Sequence, residues 1–94
     1  MKIGQSSKKV SGGKLIRLDV TYSAKVERVK ITGDFFLHPE DFISTIEESL
    51  SGTDIPIDSS MLIRKVEQLI QENEAMLIGV SAEDIVSVLE EAVK

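Results

Sequence analysis

The chain holds one histidine, no cysteine and no tryptophan, which limits the chemistry it can carry. Without a thiolate there is no cysteine nucleophile, no thiolate metal site and no disulfide. Nucleophilic chemistry of the Ser-His-Asp kind would have to use His38, which directly precedes Pro39. That position reads as a helix start, a poor place for a general base. The plainer reading is an N-cap or strand-end histidine. His38, Glu40 and Asp41 could be grouped as a metal cluster, but acidic residues also belong in a first helical turn. The pairs Glu47-Glu48 and Glu90-Glu91 lie in helical stretches, with no burial signal beside them, and read as a solvated face rather than as catalytic carboxylates. No catalytic residue and no metal ligand is assigned.

Two segments carry more local identity than generic strands need. The first is Lys9-Val10-Ser11-Gly12-Gly13-Lys14-Leu15. Gly-Gly-Lys offers backbone amides and a cation, which suits a phosphate. It does not fit a Walker A loop: Lys8 stands where the first glycine should be, and Leu15 replaces the magnesium-holding Ser or Thr. A plain turn before a strand is the other reading. The second segment is Ile31-Thr32-Gly33-Asp34-Phe35-Phe36-Leu37. Neighbours on a strand alternate, so one of Phe35 and Phe36 should point away from the core. An aromatic on the outer face of so small a domain is a partner-contact candidate, and Asp34, Phe35 and Phe36 are assigned as a partner interface.

The elements that must position these segments follow from periodicity. Residues 1–13 are rich in Gly, Ser and Lys and read as a basic N-terminal arm or loop. Residues 14–94 then form a single α+β domain. Over residues 14–22, Ile16, Leu18, Val20 and Tyr22 share one face, as on a half-buried strand. Residues 26–37 give a second strand, with Val29, Ile31, Gly33 and Phe35 on one face. Val26 is out of phase, which predicts a bulge near Glu27 and Arg28. Residues 34–37 form a short third strand or a bent extension of the second. Pro39 then suits the first helical position, with His38 as N-cap and Gly52 as the C-terminal stop. A second helix starts near Asp58 or Ser59. The connector Met76-Leu77-Ile78 docks in the core, and Ser81 with Asp84 resembles a capping box that opens a third helix. Strands followed by helices mean α+β: a two-layer sandwich with an antiparallel hairpin or three-stranded sheet and three helices on one face.

Length and composition set the outer bounds. Ninety-four residues allow one small domain. A hydrophobic fraction of 41% is enough for a core. A net charge of −5 argues against a phosphate backbone as the main partner. No apolar run is long enough to span a bilayer, and no secretory signal opens the chain, so a cytoplasmic protein is expected.

The two glycine-containing motifs, with Pro39-Glu40 and the later Gly79-Val80-Ser81-Ala82-Glu83-Asp84, resemble the C-terminal accessory domain of lipoate–protein ligases. The resemblance covers about residues 8–94. In many bacterial ligases this domain is fused behind a large catalytic domain. Here it has its own Met1, which is similar to the split ligases of archaea, the Thermoplasma type, where it is a separate small subunit. The resemblance implies a non-catalytic partner of a large subunit in a heterodimer. The complex would use ATP, magnesium and lipoate to make lipoyl-AMP and then modify a lysine of lipoyl-domain proteins. This chain alone would bind no cofactor. The family's two-layer fold is also similar to iron–sulfur scaffold proteins, but the absent cysteine removes any sulfur chemistry. Within that frame Lys9, Gly12, Gly13 and Lys14 form a candidate loop at the active-site mouth. The alternatives are a free-standing interaction or adaptor module with no part in lipoate activation, and a small independent enzyme.

Overall fold

The computed structural model describes residues 1–10, 12 and 14–94. Its elements are β1 (Lys2–Lys9), β2 (Leu15–Tyr22), β3 (Val26–Gly33), β4 (Phe36–His38), α1 (Phe42–Leu50), α2 (Ser59–Glu72), β5 (Met76–Ile78) and α3 (Ala82–Ala92). Strands β1, β2 and β3 form an antiparallel sheet in that order, and β4 pairs antiparallel with β5 in a separate two-stranded ribbon. Helix α3 lies on β1 and β2, α1 lies on β3, and α2 packs against both helices. The chain is thus an α+β two-layer sandwich, as its segregated strands and helices predict.

The core lies between these layers. Ile16, Leu18, Ile46, Leu50, Val66, Ile85 and Leu89 are fully buried. At roughly 25 cal/mol per Å2 of apolar surface removed from water, each such side chain contributes about 1.5–3 kcal/mol against leaving it exposed. The sheet supplies its share through strict alternation on β2, where Ile16, Leu18 and Val20 face the helices while Leu15 and Arg17 are exposed. On β3 the inward positions are Val26, Val29 and Ile31. The change of phase is absorbed at Glu27, because Thr21 pairs with Arg28 while Tyr22 pairs with Val26. This is the expected bulge, and it returns Val26 to the core.

Two regions differ from the sequence expectation. Residues Lys2–Lys9, read as an arm or loop, form an edge strand paired along its whole length with β2. Its sequence hides this because main-chain hydrogen bonds hold it and Ile3, its one large apolar side chain, faces solvent. Lysines on such an edge discourage pairing with other chains. Gly4 faces the helices, and α3 approaches so closely that a Cβ there would collide with the Ala92 carbonyl oxygen.

The other difference is the start of α1. His38 is the last residue of β4 and not an N-cap, and Pro39 is not the first helical residue. The Phe42 N–H donates to the Pro39 carbonyl at 3.0 Å, forming a turn that leads into a helix beginning at Phe42. The pairing of His38 with Met76 claims the residue for the ribbon. The other helix ends follow the expected rules. Asp58 caps α2 by accepting from the Met61 N–H at 3.2 Å, and Ser81 with Asp84 forms a complete capping box on α3. Gly52 follows α1 with φ of 86°, and its N–H donates to the Val26 carbonyl at 2.6 Å, which ties the helix end to β3. The connector Met76–Ile78 is itself a strand, with Leu77 half-buried between exposed Met76 and Ile78.

Candidate functional site

The two motif segments meet at one end of the sheet. The Val10 N–H donates to the Lys14 carbonyl at 2.8 Å and closes the connection between β1 and β2. The next residue, Leu15, is held by the second segment: its N–H donates to the Asp34 carboxylate, and its carbonyl accepts from the Asp34 N–H at 3.1 Å. Gly33 permits this contact. A side chain there would strike the Leu15 carbonyl oxygen and the Phe35 ring. A third segment closes the end of the sheet. A Cβ at Gly79 would stand 3.3 Å from Lys14 Cγ and 3.5 Å from Phe35 Cβ, so the Lys14 stem and Phe35 rest on the turn between β5 and α3.

Of the residues assigned to the mouth loop, Lys14 therefore sits against Phe35 and Gly79. Lys9 faces the opposite side of the sheet, across from Leu15. Gly12 has φ of 90° with nothing near its Cβ position, a left-handed turn residue in open space. Gly13 lies outside the described residues.

An open groove of about 420 Å3 beside this junction is lined by Lys8, Lys9, Val10, Gly79, Ser81 and Asp84, among others. Lys8 Nζ lies 3.2 Å from Asp84 Oδ1. Burial alone would raise the Asp84 carboxyl. The Ser81 N–H, the Lys8 ammonium and the Ser81 hydroxyl outweigh that and hold it below the ordinary aspartate value. A fixed carboxylate here neutralises Lys8 and repels phosphate, so the groove by itself does not fit a nucleotide. Among the described residues no polar or charged side chain is buried, and no group of three His, Cys, Asp or Glu residues could hold a metal ion. His38, Glu40 and Asp41 accordingly do not assemble a metal site.

The assigned interface residues divide. Phe35 is half-buried at the junction, whereas Phe36 on β4 is 52% exposed. Phe36 lies opposite Ile78, and His38 lies opposite Met76. The Phe36 and His38 rings are stacked 3° from parallel with centroids 6.5 Å apart. Met76 and Ile78 are 54% and 52% exposed. The outer face of the ribbon is thus a surface of three apolar side chains and His38, backed by Leu37 and Leu77. Sequence reasoning found Phe36 but not His38, Met76 or Ile78. The available signal was the alternation of Met76 and Ile78 about Leu77, too short to separate a strand from a buried connector. Glu47, read as solvated, instead accepts from the Ile31 N–H at 2.7 Å and covers part of the free edge of β3.

No protein-family model matches the chain, and no curated protein matches it. Among solved structures, it matches a chain from a structure of an archaeal lipoylation system, a bi-partite lipoate protein ligase and its E2 lipoyl domain from Thermoplasma acidophilum. The TM-score is 0.67 and the identity 27%, over 94% of each chain. The protein is therefore similar, nearly end to end, to a component of a lipoylation system. No helix among the described residues is long and apolar enough to cross a membrane.

Proposed function

We propose that this chain is the non-catalytic small subunit of a two-part lipoate–protein ligase. The observation that carries the reading is the end-to-end likeness to a component of such a system, over a chain of nearly equal length. The sequence motifs that resemble the ligase accessory domain are an independent support, and they meet in space through Leu15, Asp34 and Gly79.

In this reading the large subunit carries the ATP, magnesium and lipoate sites, and the heterodimer works in the cytoplasm. Activating an acid as a mixed anhydride needs a site closed to water, because the intermediate hydrolyses readily. A second chain can complete such a site with a loop and its backing. The 9–15 connection suits that role, because Gly12 adopts a positive φ and the Lys14 stem is held against Gly79. Lys14 then brings positive charge to the mouth of the partner's site, where it would offset phosphate charge. The apolar ribbon face around Phe36 supplies the contact with the large subunit.

The test combines the purified large subunit with and without this chain and measures ATP-dependent lipoyl-AMP formation. The expected result is strong activation when both are present. Unchanged activity with a bound chain would replace this reading with that of an adaptor. A lipoyl adduct found by mass spectrometry on a lysine of this chain would instead identify it as an acceptor domain.

A further inference from the structure

The formal charge of −5 hides a division between the two layers. Residues 1–38 carry eight Lys and Arg against three Asp and Glu, whereas residues 39–94 carry three against thirteen. The first group builds the three-stranded sheet, and the second builds the helices. One face of that sheet is covered by α1 and α3. The other is open, and its register places side chains in rows. Lys9 lies beside Leu15. Ser7, Arg17 and Thr32 form the next row, then Gln5, Asp19 and Lys30, and finally Ile3, Thr21 and Arg28.

These rows hold four cations and one carboxylate, and Asp19 is already engaged. It accepts from Gln5 Nε2 at 2.6 Å, and Arg17 reaches it only at 3.4 Å. Lysines along an edge explain themselves as protection against strand pairing. Arg17 lies on the central strand, where no such protection is needed, and its planar guanidinium suits carboxylates. Ile3 and Leu15, 84% and 43% exposed, stand at opposite ends of the same face.

We infer that the open sheet face, with Arg17, Arg28, Lys30 and Lys9 between Ile3 and Leu15, is a docking surface for an acidic protein. Charge complementarity selects an acidic partner. The apolar ends select protein over nucleic acid, because a phosphate backbone gains little from Ile3 or Leu15, whereas protein interfaces combine apolar contacts with arginine. The face is separate from the Phe36 ribbon, and the inference does not depend on the ligase reading.

The experiment measures binding of the full chain to poly-L-glutamate by fluorescence anisotropy, with duplex DNA and anionic phosphatidylserine vesicles as parallel probes. The expected result is binding to poly-L-glutamate that weakens at least tenfold between about 50 and about 300 mM salt, as exposed charges are screened. The double variant Arg17→Glu/Lys30→Glu should lose at least tenfold in affinity, and Arg28→Glu should weaken binding separately. Arg64→Glu and Lys65→Glu, on the helical layer, should leave it unchanged. Circular dichroism checks that each variant is folded. Equal binding by sheet and helix variants overturns the proposal. So does tighter binding to DNA or vesicles, or self-association of the chain with the same charge dependence.

Discussion

The Asp34 carboxylate accepts a hydrogen bond from the Leu15 N–H, while the Leu15 carbonyl accepts one from the Asp34 N–H at 3.1 Å. This reciprocal pair joins the end of the β1–β2 connection to the bend that leaves β3. It holds Lys14 against Phe35 and Gly79. Replacing Asp34 with alanine removes one half of the pair at an exposed position, so the loss should be about 1 kcal/mol. For a domain of this size that lowers Tm by roughly 4–8 °C. Asp34→Asn keeps an acceptor and should recover most of the difference. Hydrogen exchange should show faster exchange of the Leu15 amide in Asp34→Ala alone; equal exchange in both variants would remove the proposed link.

Gly4 and Gly12 should respond differently to alanine. At Gly4 the new methyl meets the Ala92 carbonyl oxygen, a backbone atom at the end of α3. Either α3 or β1 must shift, and overpacking of this kind costs about 1–3 kcal/mol. At Gly12 nothing stands in the way, and only the positive φ resists, at about 1 kcal/mol. Denaturant unfolding of the two variants ranks them directly. A Gly4→Ala protein as stable as the parent would mean that α3 does not press on β1.

Much of this architecture was legible from period and capping. The alternation of Ile16, Leu18 and Val20, the bulge at Glu27, the Gly52 stop and the Ser81–Asp84 box each follow from local chemistry. The parts that escaped rest on distant pairing. β1 lacks an apolar stripe because its inward positions are Lys2, Gly4, Ser6 and Lys8, with Gly4 required by the close approach of α3. His38 resembles an N-cap until Met76, far along the chain, recruits it into a ribbon. Glu47 resembles any solvated acid until the free edge of β3 supplies the Ile31 N–H. At the site, each motif was visible separately, but the Leu15–Asp34 contact that unites them depends on the register between β2 and β3.

Acid should weaken the fold partly through Asp84. Its folded carboxyl lies below the ordinary value of 3.8, so it binds a proton less readily than in the unfolded chain. The associated stability is fully present above that ordinary value and is lost as pH falls through the lowered one. Asp19 contributes in the same direction, through the Gln5 hydrogen bond first and Arg17 after it. Its side chain is 37% exposed, so solvent reduces its share. Unfolding measured from pH 7 down to about pH 2 should show a steeper loss in the parent than in Asp84→Asn. At neutral pH, Ser81→Ala should cost about 1 kcal/mol by removing the cap. An identical acid profile in Asp84→Asn would show that the lowered carboxyl does not drive the loss.

The Phe36 ribbon gives the sharpest test of the subunit reading. Phe36 and Ile78 pair across the ribbon and are each 52% exposed, so replacing either with serine removes only part of a side chain's burial from the isolated chain. Half-burial of such a side chain contributes about 1 kcal/mol, so the isolated chain should lose roughly that much stability and stay folded. Binding to the large subunit should respond differently, because an aromatic near the centre of an interface often contributes at least about 2 kcal/mol. That corresponds to a loss of roughly 30-fold in affinity. Met61 is 65% exposed on α2 and provides a control of similar apolar character away from the ribbon. Calorimetric titration of the large subunit with Phe36→Ser, Ile78→Ser and Met61→Ser should show the loss in the first two only. Equal affinity in all three would move the interface away from the ribbon, even if the chain still proved necessary for lipoate activation.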